Sequence, residues 1–354
     1  VQYAAYRELA RGVAEHNATA GVLVSLDVNT GEVLAMANLP SYNPNNRQQL
    51  TVVALRNRAV TDQFEPGSTL KPFTVAAALE SGKFNVHSHF NTSPGTYKVL
   101  NKLIRDHENY GVIDMPTLLT KSSNVASAQI AMALPRDTLP LLHRRLGFGH
   151  RTGSGFPGES AGSMQPSNRW NPVEIATMSY GYGVTVTALQ LAQAYAVIAS
   201  GGIQRPISFT KVTGPVPGKR ILDEKIARAI IPMMETVVTQ EGTALRAAVP
   251  GYRIAGKTGT AHKAQGGGYA SDAYMSLFVG MAPASAPRVV TAIIIDNPRQ
   301  GGYYGGLAAA PVFSRMMSDT LRLMNIEPDR SAERLAEQHR FPHPSTWARP
   351  GREG

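Results

Sequence analysis

The sequence predicts an α+β fold, a five-stranded and mostly antiparallel sheet flanked by helices with an inserted all-helical lobe. Three observations carry that prediction. Two apolar, β-branched runs near the N-terminus, residues 21–28 and 32–36, flank the turn-forming Asn29-Thr30-Gly31. Three further strand-like runs, residues 252–260, 274–281 and 289–296, return only near the far end. Between the two groups, residues 65–245 read as helices broken by Gly and Pro.

Residues 1–17 open the chain with helix formers whose apolar positions recur at helical spacing, and Asn17 ends that amphipathic helix. The hairpin of the first two strands follows. After the helical insertion come the three returning strands, with Gln265-Gly266-Gly267-Gly268 as a flexible turn over a cleft rim. A closing helix spans residues 307–324, with Met316, Met317 and Met324 filling core. Residues 328–354 turn polar and read as a loosely held tail. The implied division is one domain over 1–327, with 1–64 and 246–327 as the sheet lobe and 65–245 as the mainly helical lobe. A cleft between lobes is a favoured place for a site.

Composition narrows the function classes. The 354 residues are 43% hydrophobic and 17% charged, enough apolar material for a real core. Lys and Arg number 35 against 25 Asp and Glu, a net charge of +10. No basic run interleaved with aromatics accompanies that charge, so an anionic membrane or wall polymer fits it better than nucleic acid. Without cysteine there is no disulfide, thiol nucleophile or thiolate metal site. His87 and His89 lack acidic neighbours at ligand spacing, so neither a metal nor a cofactor is expected. The longest apolar runs fall short of the roughly 18 to 20 residues a membrane helix needs. Val1 is not an initiator methionine, and the chain reads as part of something longer.

Short motifs recur, so context has to select among them. Gly153 to Gly158 fits a dinucleotide-binding pattern, yet no strand precedes it and Pro157 sits where the helix should begin. Ser-x-x-Lys occurs at Ser68 and at Ser208. The second copy, Ser208-Phe209-Thr210-Lys211, lies in extended sequence that points Ser and Lys to opposite faces. Ser68 instead follows Pro66-Gly67 and precedes a helical pattern closed by Ser81-Gly82, and Pro72 is tolerated in a first turn. There, i,i+3 spacing brings the Lys71 amine towards the Ser68 hydroxyl. A hydroxyl needs a base, and lysine serves as one only if its pKa falls from about 10.4 towards roughly 7 or 8. Burial and a second cation do that.

Two further motifs supply the rest. In Lys121-Ser122-Ser123-Asn124, Ser122 can relay a proton and the Asn124 amide can bind a peptide. The other Ser-x-Asn, Ser41 to Asn43, lies in a turn cluster. Lys257-Thr258-Gly259-Thr260 occurs once and ends a strand; Lys257 supplies the second cation and the Thr hydroxyls suit a substrate carboxylate. The strand edge beyond can pair with an extended peptide. Ser-x-x-Lys, Ser-x-Asn and Lys-Thr-Gly in this order form the signature set of serine β-lactamases and penicillin-binding proteins.

On these motifs, with Asn29 to Asn38, Glu65-Pro66-Gly67-Ser68, Ser179-Tyr180-Gly181-Tyr182-Gly183 and Tyr303-Tyr304-Gly305-Gly306, the chain resembles the transpeptidase domain of class B penicillin-binding proteins of the division-specific type. The resemblance runs to about residue 328. It implies a peptidoglycan D,D-transpeptidase in which Ser68 attacks the penultimate D-Ala carbonyl of a stem peptide and an amine on a neighbouring stem resolves the acyl-enzyme. It implies acylation of Ser68 by β-lactams, and an oxyanion hole from the Ser68 and Thr260 amides. It places Glu65, Tyr274, Tyr303 and Tyr304 at the substrate site. It further implies an N-terminal anchor helix outside this chain, a periplasmic location at the inner membrane, and division-complex partners bound mostly through the absent part. Two positions depart from the pattern: His262 stands where some relatives carry Arg, and Ala126 where Gly is usual.

Rival readings remain at this stage. A serine β-lactamase shares the nucleophile, but class A enzymes carry a Glu-x-x-Leu-Asn segment that is missing after Asn124. A D,D-carboxypeptidase would use water as acceptor. An inert scaffold module is the third, although Ser68, Lys71, Ser122, Asn124 and Lys257 are all intact.

Overall fold

The computed structural model describes residues 1–330 except 47, 49, 167, 168, 215, 266 and 267; for 264, 265, 268, 269 and 271 it describes the backbone only. Helix α1 spans Gln2–Glu15, and Asn17 leaves it in the left-handed conformation (φ 45°). Strands β1 (Ala20–Asp27) and β2 (Val33–Leu39) form the hairpin. Its turn is pinned by Asp27, whose carboxylate accepts from the Asn29 and Thr30 amides at 2.8 and 2.9 Å.

Between the hairpin and the returning strands, α2 is Lys71–Glu80, α3 Asn124–Ala133, α4 Ala188–Ala199 and α5 Glu224–Glu235. The chain then returns as β3 (Ala255–Gln265), β4 (Gly268–Ala282) and β5 (Val289–Asp296), and α6 spans Ala310–Leu323. The sheet order is β2-β1-β5-β4-β3, every pairing antiparallel. The two chain ends therefore share one sheet, with Ala20 opposite Asp296 and Asp27 opposite Val289.

Helix packing explains the composition of the strands. Helices α1 and α6 pack on the sheet and on each other, whereas α4, from the insertion, lies against β1, β4 and β5. Every residue of β1 is consequently buried, and β5 is buried through Ile295. A strand covered on both faces reads as a nearly continuous apolar run, as these two do apart from Ser25 and Thr291, whose buried hydroxyls bond each other at 2.9 Å. The terminal helices are joined by Glu8, which is buried and accepts from Arg7 and Arg315 Nε, both at 2.7 Å. The described residues contain no helix long and apolar enough to cross a membrane.

The structure shifts several sequence expectations. Residues 252–254 precede the strand, because Arg253 there pairs with Glu235 at 2.7 Å and its amide binds Asp329 at 2.7 Å. β3 instead runs on to Gln265, paired with Gly268; Gly266 and Gly267 of the expected turn lie outside the described residues. The insertion also carries small two-stranded ribbons, 89–91 with 112–114, 96–99 with 102–105, and 203–204 with 219–220. The closing helix is divided: a short turn, Gly305–Ala308, precedes α6, whose early Pro311 lacks the amide that would continue one helix. Of the polar C-terminal stretch, Asp329 also accepts from Ser285 Oγ at 2.7 Å, and residues 331–354 lie outside the described residues.

Candidate active site

Ser68 lies half-buried on a 3-10 turn, Gly67–Leu70, that leads directly into α2. In a 3-10 turn residues three apart eclipse, so Ser68 and Lys71 share one side. The turn also leaves early amides without intrahelical acceptors, the Ser68 amide among them. Two backbone approaches clamp it. Gly67 N donates to Gly181 O at 3.0 Å, and a Cβ on Gly181 (φ 92°) would fall 1.9 Å from Gly67 O. From the other side β3 passes so closely that a Cβ on Gly259 would lie 2.9 Å from both Pro66 O and Thr69 Cγ2. Beneath, the buried Tyr195 hydroxyl donates to Thr69 O at 2.7 Å.

Lys71 and Lys257 are both fully buried, 0% exposed. Lys71 Nζ bonds Ser122 O, Ser122 Oγ (3.0 Å) and Asn124 Oδ1 (2.8 Å). Lys257 Nζ meets the same Ser122 Oγ at 2.9 Å, so one hydroxyl bridges two amines. Ser122 adopts a left-handed backbone (φ 58°), a strained conformation for a non-glycine residue that presents its carbonyl and hydroxyl to a single amine. Among the described residues no hydrogen bond joins Lys71 to Ser68; the expected pair is replaced by three oxygens that satisfy the buried amine. Catalytic hydrogen bonds of this sort often form only when substrate closes the site.

Burial drives the Lys71 pKa well below its ordinary value, the charge of Lys257 drives it further, and Asp106 opposes both. Burial brings Lys257 down to about 7. Between pH 7 and the unfolded pKa near 10.4, the unfolded chain holds a proton at Lys257 that the folded chain has released, so this group's contribution to stability rises with pH. The stability of wild type relative to Lys257→Met is therefore expected to grow from pH 7 to pH 10, by on the order of 4 kcal/mol. Urea unfolding at a series of pH values measures it, and a pH-independent difference would contradict a Lys257 whose pKa is lowered by burial.

Asp106 is the residue that sequence reasoning missed. Its carboxylate accepts from Ser123 Oγ (2.6 Å) and from the Asn124 and Val125 amides (2.5 and 3.0 Å) at the start of α3. A carboxylate there satisfies orphan amides and complements the helix dipole. Ser123 in turn caps the Ala126 amide at 3.0 Å, so Ala126 is accommodated within a regular first turn. Asn124 Nδ2 donates to Arg105 O at 2.9 Å, which leaves one amide proton and one lone pair for a ligand.

These groups face a cleft of about 740 Å³ lined by Ser68, Ser122 and Asn124 on one side and by Thr258, Gly259, Thr260 and Tyr274 on the other. Thr258 Oγ1 bonds Thr243 Oγ1 at 2.7 Å, and Thr260 Oγ1 accepts from Gly305 N at 3.1 Å. An aromatic wall runs along the sheet side: His262 to Tyr274 (4.7 Å), Tyr274 stacked on Tyr303 (4.0 Å), and Tyr303 to Tyr304 (4.6 Å). Tyr304 meets His107 of the helical lobe edge-on at 6.0 Å. Glu65 does not line the cleft; its carboxylate accepts from Gly183 N at 2.8 Å, beside the glycine that clamps Gly67. His107, Thr243 and Arg246 line the cleft without any sequence motif to announce them.

A serine on the same turn as a buried lysine whose pKa burial lowers, facing an edge strand with hydroxyls for a carboxylate, can perform acyl transfer through an ester intermediate. Residues 21–318 match the penicillin binding protein transpeptidase domain family. The chain belongs to that family. It is 47% identical over 329 residues, 93% of its length, to the peptidoglycan D,D-transpeptidase FtsI of Escherichia coli K12, and spans 56% of that protein's length. It is 42% identical over 337 residues to the probable peptidoglycan D,D-transpeptidase PenA of Neisseria flavescens, covering 95% of this chain and 84% of that one. The solved TP domain of Burkholderia pseudomallei penicillin-binding protein 3 superposes with a TM-score of 0.86 at 39% identity, covering 93% of this chain and 96% of that chain. The resemblance to class B, division-type domains and the α+β fold expected from the sequence are borne out.

Proposed function

We propose that the chain is the catalytic domain of a peptidoglycan D,D-transpeptidase that cross-links stem peptides through an acyl-enzyme on Ser68. The observation that carries this reading is the Lys71–Ser122–Lys257 bridge, whose Ser122 lines the same cleft as Ser68. Neutral Lys71 takes the Ser68 proton as Oγ attacks the penultimate D-Ala carbonyl. The Ser68 and Thr260 amides receive the oxyanion, and the Thr258 and Thr260 hydroxyls hold the terminal carboxylate. Collapse breaks the C–N bond, and the proton reaches the departing D-Ala amine through Ser122 Oγ. An amine from a second stem then attacks the ester carbonyl and returns the proton to Ser68. The tyrosine wall bounds the donor strand, and Glu65 holds the nucleophile turn through Gly183. β-Lactams present the same acyl group to Ser68.

Kinship with FtsI supports a septal role, a periplasmic location at the inner membrane through an anchor outside this chain, and division-complex partners. Mass spectrometry of the intact domain after benzylpenicillin is expected to give one stable adduct, located by digestion on the peptide that carries Ser68. No adduct, or rapid multiple-turnover hydrolysis, would defeat the transpeptidase reading.

A further inference from the structure

Arg246 lines the cleft from a short 3-10 turn, Leu245–Ala247, and is exposed. It makes no hydrogen bond or ion pair among the described residues. Of the described residues lining the cleft none is acidic, and Arg246 is the one with a permanent charge. Its side of the cleft is fixed by Thr243, three residues earlier, whose hydroxyl bonds Thr258. Thr258 belongs to the strand that holds the leaving-group carboxylate in the transpeptidase reading, whereas the tyrosines stand further along. When the terminal D-alanine departs, the incoming amine takes its place next to Thr258.

We propose that Arg246 forms an anion subsite for the acceptor, binding a second carboxylate carried by the amine that resolves the acyl-enzyme. This rests on the acyl-transfer reading above. In the step concerned, the amine nitrogen bonds to the ester carbonyl, the C–O bond to Ser68 breaks, and the proton lost by the amine restores the Ser68 hydroxyl. Arg246 takes no part in bond making. It holds the acceptor's carboxylate through its planar fork of N–H donors, a match for a carboxylate that lysine cannot reproduce in full.

The test uses a thioester donor that ends in an acyl-D-alanyl group, with D-alanine and D-glutamate as competing acceptors. The readout is the ratio of the two aminolysis products on one protein preparation, so general damage to the site cancels. Arg246→Ala is expected to lower the D-glutamate to D-alanine ratio about fivefold, the scale of an exposed ion pair. Arg246→Lys should retain part of the preference and Arg246→Glu should reverse it. An unchanged ratio in all three variants overturns the inference while leaving acyl transfer standing. Failure of wild type to couple either acceptor brings down the transpeptidase reading, and the inference with it. If Arg246→Ala instead alters acylation by a penicillin with a side-chain carboxylate relative to benzylpenicillin, the subsite serves the donor and the acceptor assignment is wrong.

Discussion

Replacing Lys71 by arginine is expected to slow acylation by benzylpenicillin at least about a thousandfold, within the range lost when a general base is removed. Arginine keeps its charge at any working pH and so offers no lone pair to the Ser68 proton. In wild type the same position is fully buried, with Lys257 sharing its Ser122 hydroxyl, which is why the lysine can shed its proton. Because a guanidinium is bulkier than an amine, Lys71→Gln serves as a companion: it is neutral, fits the space, and should also fail to acylate while melting cooperatively. Stopped-flow or mass-spectrometric acylation rates decide the matter. A Lys71→Arg protein that acylates within tenfold of wild type would remove Lys71 from the role of base.

Asp106→Ala should have the second largest effect. Three donors, Ser123 Oγ and the Asn124 and Val125 amides, lose one carboxylate acceptor together, and the expected destabilisation is about 3 kcal/mol. Acylation should slow by about ten- to a hundredfold, since Asn124 and the strained Ser122 turn are held from that point. The pH profile separates electrostatics from mere loosening. Asp106 raises the Lys71 pKa, so its removal lowers that pKa further. Lys71 works in its neutral form, whose fraction grows as pH rises through the pKa; the acid limb of the rate profile should therefore move to lower pH. A purely structural role would leave the limb in place.

The legible features were those written locally. β1 and β5 announce burial on both faces by mostly apolar runs, and Ser68 is distinguished from Ser208 by the Pro-Gly before it and the helix after it. Chain order placed Ser122 and Lys257 in the same site. What stayed illegible depends on contacts between segments. Asp106 acts on residues 17 to 19 positions further along the chain, and nothing in its neighbours distinguishes it from a solvated loop aspartate. Spacing put Ser68 next to Lys71 and motif order put Ser122 there, but the Ser122 carbonyl and the Asn124 amide oxygen that also bind the buried amine are presented by a local backbone conformation that no spacing rule describes. The start of β3 moved because the Arg253 amide and carbonyl are taken by the Asp329 carboxylate and the Ala284 amide, partners outside the strand.

The pairing of β1 with β5 also dictates an order of events in biosynthesis. Within this sheet β1 is made before all the others and acquires its inner neighbour only when residues 289–296 are complete. Until then the hairpin of β1 and β2 carries a mostly apolar strand with one unpaired edge, the kind of surface that recruits other chains. A nascent or truncated chain that ends before Val289 is thus an aggregation hazard even though its nucleophile, lysine base and relay serine have all been synthesised. Competence for chemistry arrives with the last strand, and the early hairpin is where a chaperone would have most to protect.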